Sequence, residues 1–404
     1  MKLCNILIVY VSSIMMARAL SPLSKSSSYK HKYLGGAITA DQKSIYAMPS
    51  HSNFILKISV NVSSPPTISY LSSPPAINGK FSFLRSVTIP GKHQIVGIPC
   101  WADYILSLDT KTDEITQSTF PAEQQNWAFH GGQYICSHVY CVPCNADRVM
   151  KFCPETLRAT FIGPTIPTKN SYYGGILGGI FEQDAMYCIP FGESNETSTV
   201  LKVVGGSDEV TFLPLKKNLP RFAFHGAVAS RGIVYGIPSH ANQILKIDTT
   251  KNDKIDLIEL PELKRNLKYQ YGGGCVDLGG NVWMMPSDGD HVLRLDVESG
   301  ELKTFETNHL LGKNVHKNKF QGGVVTPWNV IYAIPANANH VLRIDASSNS
   351  VSVLSTEISG SRRCKFQGAF FSSIDEACYF LPEHSDSILR ISKNEDVEFI
   401  SLPS

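Results

Sequence analysis

Beyond its N-terminal stretch, the 404-residue chain has no apolar run long enough to cross a bilayer. It has no arginine-rich run and no basic helix, and its formal net charge is only +2, which excludes a bulk attraction to nucleic acid. It also lacks a nucleophile elbow, a phosphate-binding glycine loop ahead of a helix, and a zinc-protease helix. The clusters Gly272-Gly273-Gly274 and Gly178-Gly179 fall in strand or turn contexts, so neither reads as a nucleotide signature. Residues 397–402 are strand-like and end in Pro403-Ser404, so no lipid-anchor tail is expected.

The N-terminus carries addressing information. Lys2 supplies a positive start, residues 6–16 are a short apolar stretch, and Ala17-Arg18-Ala19 has the small-x-small pattern of a cleavage site. The expectation is a signal peptide over 1–19, a polar leader over 20–30, a secreted product, and no membrane span beyond the signal. Two glycosylation acceptors follow from the same context, at Asn61 and Asn195.

Secretion favours disulfides. Once Cys4 leaves with the signal, nine cysteines remain, so at least one thiol stays free or pairs between chains. Cys100 and Cys144 hold equivalent places in neighbouring repeats, as do Cys141 and Cys188, which makes bridges between repeats conceivable. Local pairing among Cys136, Cys141, Cys144 and Cys153 and burial as free thiols are the alternatives. Cys141-Val142-Pro143-Cys144 matches a redox or zinc spacing, but no second pair accompanies it.

What the chain has in abundance is repetition. Eight times a short apolar strand ends in proline, at 44–49, 94–99, 139–143, 185–190, 233–238, 281–286, 330–335 and 377–382. The prolines lie 50, 44, 47, 48, 48, 49 and 47 residues apart, a period of the propeller and solenoid class. In the clearest unit, 319–354, four short β-rich runs are separated by turn residues, and none has helical period. Four strands per unit is a propeller blade. The reading is all-β: one propeller over 31–404 with eight four-stranded blades, seven being the alternative. Glycines at the first strands, Gly35-Gly36 through Gly322-Gly323 with single copies at Gly226 and Gly368, suit strands crowded at the axis. The second unit has Leu84-Arg85-Ser86 there instead, so an irregular or splayed blade is expected.

Asn281-Val282-Trp283-Met284-Met285, followed by 291–302 with His291-Val292-Leu293-Arg294-Leu295-Asp296 and the Ser299-Gly300 turn, resembles the repeat of NHL-like and virginiamycin-B-lyase-like propellers. The first, fifth and seventh units look like a variant found in secreted protist propellers. The resemblance covers nearly the whole chain after the leader. It implies a scaffold and not an activity, since the lyase family's His/Glu motif has no counterpart that can be placed here.

In such a blade the connectors entering strand one share a face with the turns between strands two and three. The turns supply His51, His240 and His384, with Trp101 in the second unit; the connectors supply His130 and His225. Lys32, Lys80, Arg221, Lys268, Lys319 and Lys365 precede the first strands. A rim of this composition suits an anionic ligand such as a carboxylate, sulfate or acidic glycan. Histidine with Asp or Asn also suits a divalent metal, although no ligand motif indicates one. The plainer alternative is single histidines in polar turns and solvated strand ends. The first functional reading is therefore a secreted binding scaffold for an extracellular protein or glycan. The second is a lyase- or hydrolase-type enzyme with a His- or metal-centred site at the channel mouth.

Overall fold

A computed structural model describes residues 31–73, 80–120, 126–167, 169–178, 185–191, 198–261, 268–311, 317–359 and 363–403. The expected signal peptide, leader and Asn195 acceptor lie outside them. The described strands form eight antiparallel sheets of four strands, each in simple up-and-down order and each built from one repeat. Innermost strands contact one another in sequence around the ring, and that of the last blade, Phe366–Ser372, meets that of the first, Tyr33–Ile38. The molecule is an eight-bladed propeller, and the count of seven is set aside. We number the blades 1 to 8: residues 33–72, 83–119, 129–162, 172–214, 224–259, 271–306, 320–353 and 366–401.

The proline-ended runs are the second strands, such as Ser44–Pro49 and Ile233–Pro238. They are buried almost throughout because each is sandwiched between two neighbouring blades. The core is therefore a ring of inter-blade clusters. At the seam, Tyr33, Ile45, Ala47 and Leu56 of blade 1 pack on Tyr379, Leu381 and Ile388 of blade 8.

Two devices lock blade to blade. On the outer, lower side, Tyr187 and Lys202 of blade 4 both reach Asp253 in a turn of blade 5, at 2.6 and 2.5 Å. The same clamp joins Tyr46 and Lys57 to Asp113, and Tyr140 and Lys151 to Asp208. On the channel side, the residue entering each first strand and the residue after each proline are linked in a girdle of sixteen backbone hydrogen bonds, in which Phe222 rather than Ala223 donates to the Phe191 carbonyl. One runs from Ser82 N–H to the Ser50 carbonyl and the next from Cys100 N–H to the Ser82 carbonyl.

Blade 2 corrects an expectation. It is a regular four-stranded sheet, Phe83–Ile89 to Ile115–Thr119, with the pairing of its neighbours. Every first strand carries a β-bulge at the same place, for example between Tyr33 and Gly36 and between Phe83 and Ser86. The bulge puts one residue in the left-handed region, and glycine fills it in seven blades. In blade 2 that residue is Arg85, at φ 64°. The arginine leaves the sheet intact and strains only itself. The glycine that follows the bulge does meet the crowding expected at the axis: a Cβ on Gly36 would lie 2.3 Å from the Tyr46 carbonyl oxygen.

The cysteines also depart from expectation. All nine described cysteines are free thiols, seven of them buried. Cys100 and Cys144 do meet, in one apolar cluster with Leu34, Phe81, Leu84 and Trp127, but they pack there without bonding. Cys141 and Cys188 face different inter-blade clusters, on opposite sides of blade 3.

Candidate functional site at the channel mouth

The bulges build the mouth of the central channel. Because seven of eight bulge residues lack a side chain, the axis is left open, enclosing about 400 Å³, a volume within the range of about 300–1,000 Å³ usual for ligand sites. Arg85 is the exception that projects into it. Its side-chain carbons lie 3.3 and 3.4 Å from where Cβ atoms on Gly35 and Gly131 would stand. The lining includes Tyr173, His225, Gln321 and Gln367 and, among the described residues, no Asp, Glu or Lys. Arg85 is thus the formal charge of the channel, exposed to its solvent, on a lining otherwise of amides, imidazole and backbone.

Tyr173 stacks between two histidines, with ring centroids 3.6 Å from His130 and 4.6 Å from His225. Burial holds both imidazoles below their usual range, and the Arg85 guanidinium pushes them the same way; His225 comes down to about 4. Both rings are therefore neutral at pH 7. His225 lines the channel and offers a hydrogen bond to a ligand, whereas His130 is buried outside the lining, and the charge comes from Arg85.

Around the mouth runs a rim of eight residues, one per blade, each left-handed although none is glycine: His31, Phe81, Trp127, Asn170, Phe222, Tyr269, Asn318 and Cys364. Each costs about 1–2 kcal/mol relative to an unstrained residue. The geometry turns its carbonyl to the turn between strands two and three of its own blade, as in the 3.0 Å bonds from His240 N–H to the Phe222 carbonyl and from Trp101 N–H to the Phe81 carbonyl. The turn residues then pack on the rim rings. His51 meets Phe81 at 4.3 Å and His240 meets Tyr269 at 4.3 Å, both edge to face. Burial, then Lys268, brings His240 down to about 4; burial likewise brings His384 to about 4.

The basic residues divide into two sets. Lys32, Lys319 and Lys365 are buried at the girdle. The Lys365 ammonium donates to the carbonyls of Asn337 and Ala338 at 3.1 and 3.2 Å, and that of Lys32 to the Ser385 carbonyl at 2.9 Å, so these two cap turns. Burial brings Lys365 down to about 8. Lys80 and Lys268 stand two residues earlier, exposed on the rim, with Arg221 half-buried over the Phe222 ring at 4.7 Å. Sequence reading missed the regularity of this outer position: Lys169, Lys317 and Arg363 occupy it in blades 4, 7 and 8, also exposed. The signal was a basic residue immediately before the rim residue in blades 2 and 4 to 8; blade 3 has Asn126 there. Six blades therefore crown the mouth with cations. Asn61 is exposed in the turn between strands three and four of blade 1, at the opposite end of the blade from the mouth.

Two clusters of described residues could hold an ion. They are His31 with Glu383 and His384, and Asp290 with His291 and Glu306. Neither His31 nor Glu383 stands out in the sequence, because blades 1 and 8 are at opposite ends of the chain.

No family model matches the sequence, and no curated protein matches it. Solved structures do, at the level of the fold. A streptogramin B lyase aligns with a TM-score of 0.55 and 14% identity over 77% of this chain and 92% of the lyase. A catalytically inactive virginiamycin B lyase from Staphylococcus aureus, with quinupristin, aligns at 0.52 and 14% over 90% and 96%. AztD from Citrobacter koseri, in its apo form, aligns at 0.54 and 14% over 80% and 87%. The fold-level resemblance to virginiamycin-B-lyase-like propellers is thus supported by structure, and these neighbours share the propeller architecture with this chain.

Proposed function

We propose that the protein is a binding propeller, working outside the cell, that takes an acidic glycan on its channel face and seats one carboxylate or sulfate against Arg85. The observation that carries this reading is Arg85 itself. It is the one left-handed bulge position of eight that is not glycine, and it points a guanidinium into a channel lined by no described carboxylate. Strain retained at one copy of a repeat, where seven others avoid it, marks a functional position. A guanidinium facing no anion of its own is poised to form a bidentate pair with one from a ligand. The crown of Lys80, Lys169, Arg221, Lys268, Lys317 and Arg363 extends the favourable potential outward, as a ligand with several negative groups would require. Buried thiols, slow to oxidise, are compatible with an extracellular setting.

The test is titration calorimetry with a heparin-derived tetrasaccharide and with a tetragalacturonate. Binding to one of them should weaken with added salt and fall at least about tenfold in Arg85→Gly, the loss expected for a charge-assisted pair. Lys80→Ala/Lys268→Ala should flatten the salt dependence with a smaller loss. Absence of binding to both, or binding indifferent to Arg85→Gly, defeats the reading.

One observation favours the enzymatic alternative. His225, a neutral imidazole, shares the channel with Arg85, so a base and an anion clamp lie together. Formation of an unsaturated uronate from the acidic oligosaccharide, followed by ultraviolet absorbance and abolished in His225→Gln, would establish a lyase.

A further inference from the structure

The eight repeats serve as controls for one another, and a second position fails to match its copies. The residue after each second-strand proline is Ser50, Cys100, Cys144, Phe191, Ser239, Ser287 or Ala336 in blades 1 to 7, none of them charged. In blade 8 it is Glu383, 1% exposed. The girdle uses only the backbone of this residue, so the fold does not call for a carboxylate there. A buried carboxylate is costly unless it is paired or bound to a metal.

Its surroundings are those of a metal site. His31 Nδ1 lies 2.6 Å from Glu383 Oε1. The His31 and His384 rings stand at 68° with centroids 4.5 Å apart. One donor atom from each of the three residues lies within 4.8 Å of the others. With metal–ligand bonds of about 2.0–2.2 Å, tetrahedral donors sit roughly 3.4 Å apart, so a small opening of the His31–Glu383 contact admits an ion. The second oxygen of Glu383 is buried and has no hydrogen-bond partner among the described residues. His384 is also bonded to the Arg363 backbone, the kind of outer contact that fixes a ligating imidazole. The Lys32 ammonium donates to the Ser385 carbonyl and the Asp386 carboxylate, each at 2.9 Å, and to the backbone carbonyl of His384 at 3.3 Å, not to the ligating side chains. The other cluster is less suited. Both ring nitrogens of His291 are hydrogen-bonded, to Asp290 and to the Tyr271 hydroxyl at 2.7 Å each.

We propose that His31, Glu383 and His384 form a site for a zinc-class divalent cation that pins the last blade to the first. Two imidazoles and one carboxylate are a borderline-soft set of the kind zinc takes, and they leave a fourth position open. The site spans the one junction where the two ends of the chain meet. A bound ion would therefore add a cross-link between blades 8 and 1, which no described strand pairing joins. This inference is independent of the anion site.

Cobalt(II) provides the probe. Titrated into the purified metal-free chain, one equivalent should give the intense visible bands of a tetrahedral ion, and zinc(II) should displace it and raise the melting temperature. Glu383→Gln and His384→Gln should each weaken cobalt affinity by at least about tenfold, since even outer-contact changes weaken metal sites 10–100-fold. X-ray absorption on the zinc-loaded wild type should count two imidazoles, a readout that does not depend on a variant folding. Failure to bind cobalt or zinc, weak octahedral cobalt bands, fewer than two imidazoles, or retention of the ion in folded Glu383→Gln would each overturn the assignment.

Discussion

The Lys32 N–H donates to the Glu383 carbonyl at 2.8 Å, and this bond completes the girdle by joining the first blade to the last. No blade mixes strands from the two chain ends, so closure rests on contacts of this kind. The Ser372 hydroxyl donates to the Gln42 carbonyl at 2.8 Å, the Ser373 N–H to the Gln42 side chain at 2.7 Å, and Tyr33 and Tyr379 fill the seam core. Tyr379→Ala should therefore lower stability by about 3–5 kcal/mol, the cost of emptying a large aromatic site. Urea denaturation monitors the loss, and hydrogen exchange should quicken first in blades 1 and 8. Uniform acceleration around the ring would show that the seam is no weaker than any other junction.

The outer clamps should be worth measuring as a pair. Asp253 accepts from both Tyr187 and Lys202, and the carboxylate is largely shielded from solvent. Removing it in Asp253→Ala strands a phenol and an ammonium at the junction of blades 4 and 5. A loss of about 1–3 kcal/mol is expected. A double-mutant cycle with Lys202→Met should return a coupling of about 0.5 kcal/mol or more. Additive losses would mean that the clamp is two separate surface contacts.

Arg85→Gly should strengthen the fold while it removes the cation that would hold an anion. The left-handed backbone at φ 64° suits glycine, and the change relieves about 1–2 kcal/mol of strain, less the about 0.5–1 kcal/mol of chain entropy that glycine adds to the unfolded state. The guanidinium's push on His130 and His225 disappears as well. Thermal melting at pH 7 should rise slightly. A clear fall would show that Arg85 is a structural plug whose contacts with the channel wall outweigh its strain.

Strand order, blade number and the face carrying the turns were legible because a proline-ended strand recurs every 44–50 residues, and local pattern suffices to read it. What was not legible required neighbours from distant repeats. Arg85 read as a defect because its bulge is a backbone feature, visible only once seven glycines are seen at the same bulge position with positive φ. His31 and Glu383 are separated by 352 positions and meet only because the ring closes. Lys319 and Lys365 looked like rim charges, yet the girdle turns that residue inward. The basic residues two places earlier are the ones that face water.

Free thiols give a direct check of the corrected cysteine assignment. Cys136 is exposed and Cys153 half-buried, whereas Cys100, Cys141, Cys144, Cys188, Cys275, Cys364 and Cys378 are buried. Burial raises the Cys141 and Cys188 thiols and brings Cys144 to about 12, so thiolate is scarce at neutral pH. A thiol reagent should label Cys136 quickly and Cys153 more slowly in the folded protein, and all nine after unfolding without reductant. Detection of a Cys100–Cys144 or Cys141–Cys188 bridge by mass spectrometry would contradict the structure.

Acid should loosen the channel face before it unfolds the outer turns. His225 packs with Tyr173 and lies near Arg85 and His130; His240 packs with Phe222 and Tyr269 and lies near Lys268 and Arg221. Both fall to about 4 in the fold, below the value of 6.5 for a free imidazole. Between those values the unfolded chain binds more protons than the native one, so stability falls as pH falls. The contribution is whole above about pH 6.5 and is lost on passing down through about pH 4. The turn carboxylates act lower: Asp296, held by the Ser299 backbone and hydroxyl, titrates at about 2. Stability measured by urea unfolding should therefore carry a component that declines from pH 6.5 to 4, and that component should shrink in His225→Gln/His240→Gln. A double variant with the same slope over that window would assign the acid sensitivity to other groups, His130, His384 or the carboxylates, and leave these two imidazoles without a part in it.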